Sequence, residues 1–86
     1  MKINIPTPLR SYTDKQRVIE AGGATLAEML ADIDRRYPGL RFRIIDEQDG
    51  IRPHIKIFVN EQSVRDLRAV IRPTDQIDII CALSGG

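Results

Sequence analysis

The stretch Thr25 to Gly39 limits the folds open to this chain more than any other. Thr25-Leu26-Ala27-Glu28 fits a capping box, in which the Thr25 hydroxyl accepts one orphan backbone N–H at a helix start and Glu28 reaches back to another. Leu26, Met29, Leu30, Ile33 and Tyr37 then recur at helical spacing, giving one apolar stripe, while Asp32, Asp34, Arg35 and Arg36 take the wet side. Pro38-Gly39 ends the helix after about four turns. The Met and Tyr of the stripe read as core packing.

Around this single helix the apolar pattern has a period of two. Ile3 and Ile5 alternate with Lys2 and Asn4, and Pro6 and Pro8 close that strand because neither donates to a ladder. Residues 9–15 read as a connection with a turn at Thr13-Asp14-Lys15, and Gln16 to Glu20 as a second strand in an antiparallel hairpin with the first. Gly22-Gly23 breaks the pattern before the helix. Between 40 and 53, Phe42 and Ile44 alternate with Arg41 and Arg43 as in a short strand, and Asp49-Gly50 is a hairpin-turn pair. Asp46, Glu47 and Asp49 lack a regular ligand spacing and read as a solvated loop rather than a metal site.

His54 to Val59 is the strongest strand, with Ile55, Ile57 and Val59 on one face and Lys56 and Phe58 on the other. Asn60-Glu61 turns the chain, Gln62 to Leu67 reads as a short edge segment, and Ile71 to Asp75 turns it again. Gln76 to Leu83 is the last strand, with Ile77 and Ile79 inward and Ile77-Asp78-Ile79-Ile80 read as buried. One amphipathic helix among alternating strands implies a two-layer α+β roll with the helix on one sheet face. The other face is then open, and Phe58 on it is a candidate partner surface.

Size and charge narrow the function. A chain of 86 residues makes one domain with a thin core. The net charge of +1 gives no support for a nucleic-acid or polybasic membrane surface. No apolar run approaches the length of a membrane span, and Met1 to Pro6 lacks a signal-peptide core. One cysteine excludes an internal disulfide framework, so a cytoplasmic setting is expected. Cys81, among Ile79, Ile80, Ala82 and Leu83, reads as a small packed hydrophobe rather than a persulfide or thioester carrier. His54, with no second ligand nearby, reads as a polar strand-end residue. Neither a Walker-type phosphate loop nor a Ser/His/Asp set is present, so no catalytic residue and no metal ligand is expected.

The last strand runs directly into Ala82-Leu83-Ser84-Gly85-Gly86. Glycine has no Cβ and enters narrow clefts that other residues cannot, so this end reads as a thin arm with a carboxylate at its tip. Chance alone puts glycine at two given positions in about one chain in two hundred. The pair therefore counts chiefly in combination with what precedes it.

In that combination the chain resembles the ubiquitin-like sulfur carriers, the small proteins of thiamin and molybdopterin biosynthesis (the ThiS/MoaD family). The resemblance lies in the element order, in Phe58-Val59-Asn60 with Val64-Arg65, in Asp75-Gln76-Ile77-Asp78-Ile79-Ile80, and in the Ala82-Leu83-Ser84-Gly85-Gly86 end. It implies one β-grasp domain over 1–86, with a mixed sheet of about four or five strands, one main helix on one face, and residues 82–86 as a flexible arm. It also implies a carrier, not an enzyme. An adenylyltransferase resembling ubiquitin-activating enzymes would use ATP and Mg²⁺ to adenylate Gly86. A sulfur donor enzyme of the cysteine desulfurase or rhodanese type would then leave a covalent thiocarboxylate there. Carried over residue by residue, Gly85 is the slim neighbour, and Ala82, Leu83 and Ser84 complete the arm that threads the partner.

Glu61, Arg68-Ala69 and Pro73-Thr74-Asp75 depart from the residues common in such carriers, which leaves the pathway open. The long 39–53 segment leans towards the molybdopterin-like or cysteine-forming types rather than the smallest thiamin-type carriers. A synthase large subunit is a further expected partner; nucleic acid and membrane are not. Two alternatives use the same chain differently: a ubiquitin-like modifier conjugated through Gly86, and a β-grasp binding subunit whose Gly-Gly end is incidental.

Overall fold

The computed structural model describes residues 1–82. The first strand, β1 (Lys2–Asn4), buries Ile3 and is followed by the equally buried Ile5. Pro6 ends it, and Pro8 at the start of a 3₁₀ helix (Thr7–Thr13) presets the backbone for the turn that follows. The connection expected over residues 9–15 is thus largely helical, pinned by the buried Leu9 and by Thr13, whose hydroxyl has the carbonyls of Arg10 and Gln16 within 3.2 and 2.8 Å. Asp14 and Lys15, with φ of 52° and 65°, make the turn into β2 (Val18–Glu20). That strand pairs antiparallel with β1, Ile3 opposite Ile19, which is the hairpin read from the sequence.

Gly23 passes so close to the next helix that a Cβ there would meet the Met29 nitrogen at 2.6 Å. Helix α1 (Leu26–Arg36) is capped by Thr25, whose hydroxyl accepts from the Glu28 N–H at 3.2 Å. The Glu28 carboxylate reaches back to Ala24 at 2.9 Å, one residue beyond the cap of a standard box. The first two helical N–H groups are also satisfied, because Leu26 and Ala27 donate to the carbonyls of Ala69 and Leu67. Leu26, Met29, Leu30 and Ile33 are all fully buried. The helix has 11 residues, about three turns rather than four. It ends early because Tyr37 leaves helical geometry at φ −132° and Gly39 adopts a left-handed φ of 95°.

The chain then forms α2 (Leu40–Ile44), not the short strand suggested by the alternation of Phe42 and Ile44. The decisive spacing is Leu40 to Ile44, both fully buried one helical turn apart, while Phe42 points outward at 54% exposure. The Asp34 carboxylate serves as a remote cap, accepting from the Gly39 and Arg41 N–H groups at 3.1 and 3.4 Å. A tight loop follows, bridged by Ile45 and Ile51. Asp46 accepts from the N–H groups of Gln48 and Gly50, both at 2.9 Å, and Asp49 takes a left-handed φ of 61°. These backbone bonds hold the Asp46 carboxyl below the usual carboxylate range. Asp49 pairs with Arg41 at 3.2 Å.

Strand β3 (Ile55–Val59) buries Ile55 and Ile57 and turns back through Asn60 and Glu61, whose positive φ values of 51° and 70° suit a two-residue hairpin turn. The edge segment is shorter than the expected Gln62 to Leu67. Only β4 (Gln62–Ser63) is strand, because the following residues leave the sheet to cap α1. Last comes β5 (Gln76–Cys81), parallel to β1 and antiparallel to β3. The five-stranded order β2-β1-β5-β3-β4 is the mixed sheet of a β-grasp roll. Its core face carries Ile3, Ile19, Ile57, Ile77 and Ile79, which form one apolar cluster with the stripe of α1. Among the described residues, no helix is long and apolar enough to cross a membrane.

Candidate functional site at the end of the last strand

Strand β5 is central, held on one side by β1 and on the other by β3. Alternation puts Ile77 and Ile79 in the core, and Cys81, opposite Ile55, packs half-buried against the same cluster. The ladder continues one residue further, since the Ala82 N–H donates to the His54 carbonyl at 2.7 Å. Ala82 itself is exposed. Leu83, Ser84, Gly85 and Gly86, which complete the expected arm and acceptor, lie outside the described residues.

Two arginines stand near this end of the sheet, each laid over an aromatic ring. The Arg43 guanidinium lies 5.6 Å from the Tyr12 ring centre and its Nε donates to the Tyr12 hydroxyl at 2.6 Å. Arg52 stacks 4.7 Å from the centre of the Phe42 ring and donates to the Phe42 carbonyl at 2.8 Å. With His54 and Cys81 these pairs line a broad cleft of about 540 Å³. Nothing in the linear order of Arg43, Arg52 and Tyr12 signals this grouping; the 3₁₀ helix and α2 create it.

Phe58 lies on the face away from α1, as the alternation requires, and is half-buried between its cross-strand neighbours Asp78 and Ser63. Asp78 accepts from the Asn4 amide across the β1–β5 pair. More of the apolar surface here belongs to two other residues. Ile80, read from the sequence as buried, is 45% exposed on this face, and Val18 is exposed to the same extent. The parity that turns Ile77 and Ile79 inward turns Ile80 out, which was the available signal. Among the described residues no group of three or more His, Cys, Asp or Glu is placed to hold a metal ion.

The family model of the ThiS family matches residues 3–86. The chain belongs to the ThiS family. These ubiquitin-like sulfur carriers are small carrier proteins, not catalysts, and the ThiS-family chain described here is one of them. It is 33% identical over 89 aligned residues to the sulfur carrier protein CysO of Mycobacterium bovis, covering 98% of this chain and 96% of that one. Among solved structures, that of the Amycolatopsis orientalis BexX/CysO complex superposes with a TM-score of 0.91 at 33% identity, covering 99% of this chain and 98% of that one. The small archaeal modifier SAMP1 from Haloferax volcanii reaches a TM-score of 0.80 at 20% identity, covering 100% and 98%, which shows a shared fold alone.

Proposed function

We propose that this ThiS-family carrier holds sulfur as a thiocarboxylate on Gly86, formed after a partner adenylyltransferase activates the carboxylate with ATP and Mg²⁺. The observation that carries this reading is the bond from Ala82 to His54, the last described rung of a central strand anchored on both sides. Residues 83–86 follow it and span at most about 14 Å when extended, enough to cross a narrow neck into a partner's active site. Their side-chain-poor end suits such a passage.

The chemistry needs the partner. A free α-carboxylate, with an ordinary pKa near 3.5, is an anion at neutral pH and a poor electrophile. One of its oxygens attacks the α-phosphorus of ATP and pyrophosphate leaves. Hydrosulfide then attacks the acyl carbon, and AMP departs with that oxygen. Where the donor enzyme offers its sulfur as a cysteine persulfide, the attack instead leaves an acyl disulfide, which a second thiol cleaves to the thiocarboxylate while itself forming a disulfide with the donor cysteine. The result is the exchange of one oxygen for sulfur. The carrier's own part is to present its end and to be gripped, and the open sheet face with Phe58, Ile80 and Val18 is the surface we assign to the activating partner.

Of the molybdopterin-, thiamin- and cysteine-type pathways, the cysteine-forming one is the reading we favour, supported by whole-length similarity to carriers named CysO. The test is intact-mass spectrometry after incubation with an adenylyltransferase, ATP and a sulfur source. A carrier gains the mass of one O-to-S exchange, a modifier instead forms larger conjugates, and an incidental Gly-Gly end gives neither.

A further inference from the structure

Pro6 stops β1 short of the end of β5. The last rung of their parallel pair sets Asn4 beside Asp78, and β5 runs on through Cys81 while the chain after Pro6 turns away into the 3₁₀ helix. The space this opens beside the end of β5 is a groove of about 510 Å³. Its lining is mostly apolar, and includes the buried Ile5 and Ile79 and the exposed Pro8 and Ile80.

Among the residues lining that groove, Arg10 alone is charged. It is half-buried, and its Nε donates to the Ile5 carbonyl at 3.0 Å, which fixes the guanidinium and leaves its terminal nitrogens for a ligand. Lys56 stands directly across the β3–β5 ladder from Ile80. Neither cation forms an ion pair among the described residues, and Asp78, one row back on the sheet, is engaged by the Asn4 amide. Partly burying a guanidinium without a counter-charge costs solvation, which a carboxylate brought by a partner would offset. Resting on the reading of Gly86 as the sulfur acceptor, we propose that the activating partner seats an apolar side chain in this groove and sets a neighbouring carboxylate on Arg10. The apolar contact fills the groove, and the held fork of Arg10 selects an acidic partner over a basic one. The groove reaches Cys81, so a partner seated there stands beside the strand that leads to Gly86. A second copy of this chain is a poor occupant. Its exposed Val18 has Glu20 two residues on, but the Met1 ammonium already lies 3.6 Å from that carboxylate.

Two measurements test it. The first titrates the ¹⁵N-labelled full chain with a capped Leu-Glu-Leu-Glu peptide and, separately, with Leu-Lys-Leu-Lys. The acidic peptide alone should shift the amides of Asn4, Ile80 and Cys81 and the Arg10 Nε–H, and should bind R10Q about tenfold more weakly. The second follows adenylation of the full chain by an adenylyltransferase with ATP, at varied concentrations of the chain. R10Q and I80S should each lower kcat/KM at least about tenfold, with the loss in KM, and R10K should recover part of it. Thermal unfolding of each variant verifies its fold, and I80S, changed at an exposed position, carries the test if R10Q does not fold. The proposal is overturned if the acidic peptide leaves these signals unmoved, if the basic peptide binds equally, or if the chain self-associates through the same residues. It is also overturned if the wild-type chain is adenylated and both variants keep its KM; the reading of Gly86 then stands. A wild-type chain that is never adenylated instead removes that reading, and the partner named here with it.

Discussion

Ala82 donates its backbone N–H to the carbonyl of His54 at 2.7 Å, one residue beyond the end of β5. This rung extends the ladder of the central strand to Ala82, the last described residue. Ala82→Pro removes the donor. The expected cost is about 0.5–1.5 kcal/mol, seen as a fall of a few degrees in the thermal midpoint with the far-UV spectrum unchanged. An unaltered midpoint would mean that the rung does not hold in solution.

The cap of α1 gives a second prediction. Thr25→Ala removes the acceptor for the Glu28 N–H and should destabilise the domain by about 1 kcal/mol. Thr25→Ser should restore most of the loss, measured by urea unfolding.

The helical assignment of Leu40–Ile44 is tested by contrast. Ile44 is fully buried, and Ile44→Asp would place a carboxylate in the core, so this variant should not fold. Phe42→Gln sacrifices mainly the Arg52 stacking and should cost less than about 1 kcal/mol. A strand over the same residues would bury Phe42 and Ile44 together and make the two variants comparably severe.

Acid sensitivity follows from four carboxylates. Asp32 is held at about 2 by the Gly22 N–H, with further help from Arg35 and Arg36. Asp46, Asp66 and Asp75 are also lowered: Asp46 by backbone N–H groups, Asp66 chiefly by the Arg68 side chain, and Asp75 chiefly by the Arg72 N–H. A depressed folded-state pKa adds stability that is complete above the unfolded value of 3.8 and is lost as pH falls towards the folded one. Stability should therefore decline between about pH 4 and pH 2. Asp32→Asn should flatten that decline when denaturant midpoints are compared across the interval.

Much of this architecture was legible in the residues. The stripe of α1, the Ile3–Ile19 hairpin and the core-facing parity of β3 and β5 all follow from local periodicity, which burial enforces wherever one face is covered. The misreadings have a common origin in tertiary context. Phe42 and Ile44 alternate with arginines as strand residues do, yet it is Leu40 and Ile44 that meet the core. Residues 64–67 look like sheet edge until the orphan N–H groups of α1 claim the carbonyls of Leu67 and Ala69. Ile80 hides in an apolar run although its parity points outward. At the site, the tail motif was visible in the sequence, whereas the stacked Arg43–Tyr12 and Arg52–Phe42 pairs beside it join residues that only the fold brings together.

The central claim is that Gly86 accepts sulfur. It is tested most directly by the intact mass of the full chain after exposure to an adenylyltransferase, ATP and sulfide, run beside a chain lacking Gly86. The account predicts exchange of one oxygen for sulfur in the full chain and no change in the truncated one. An unchanged mass under conditions that convert a control carrier, or an equal gain in the truncated chain, would contradict it.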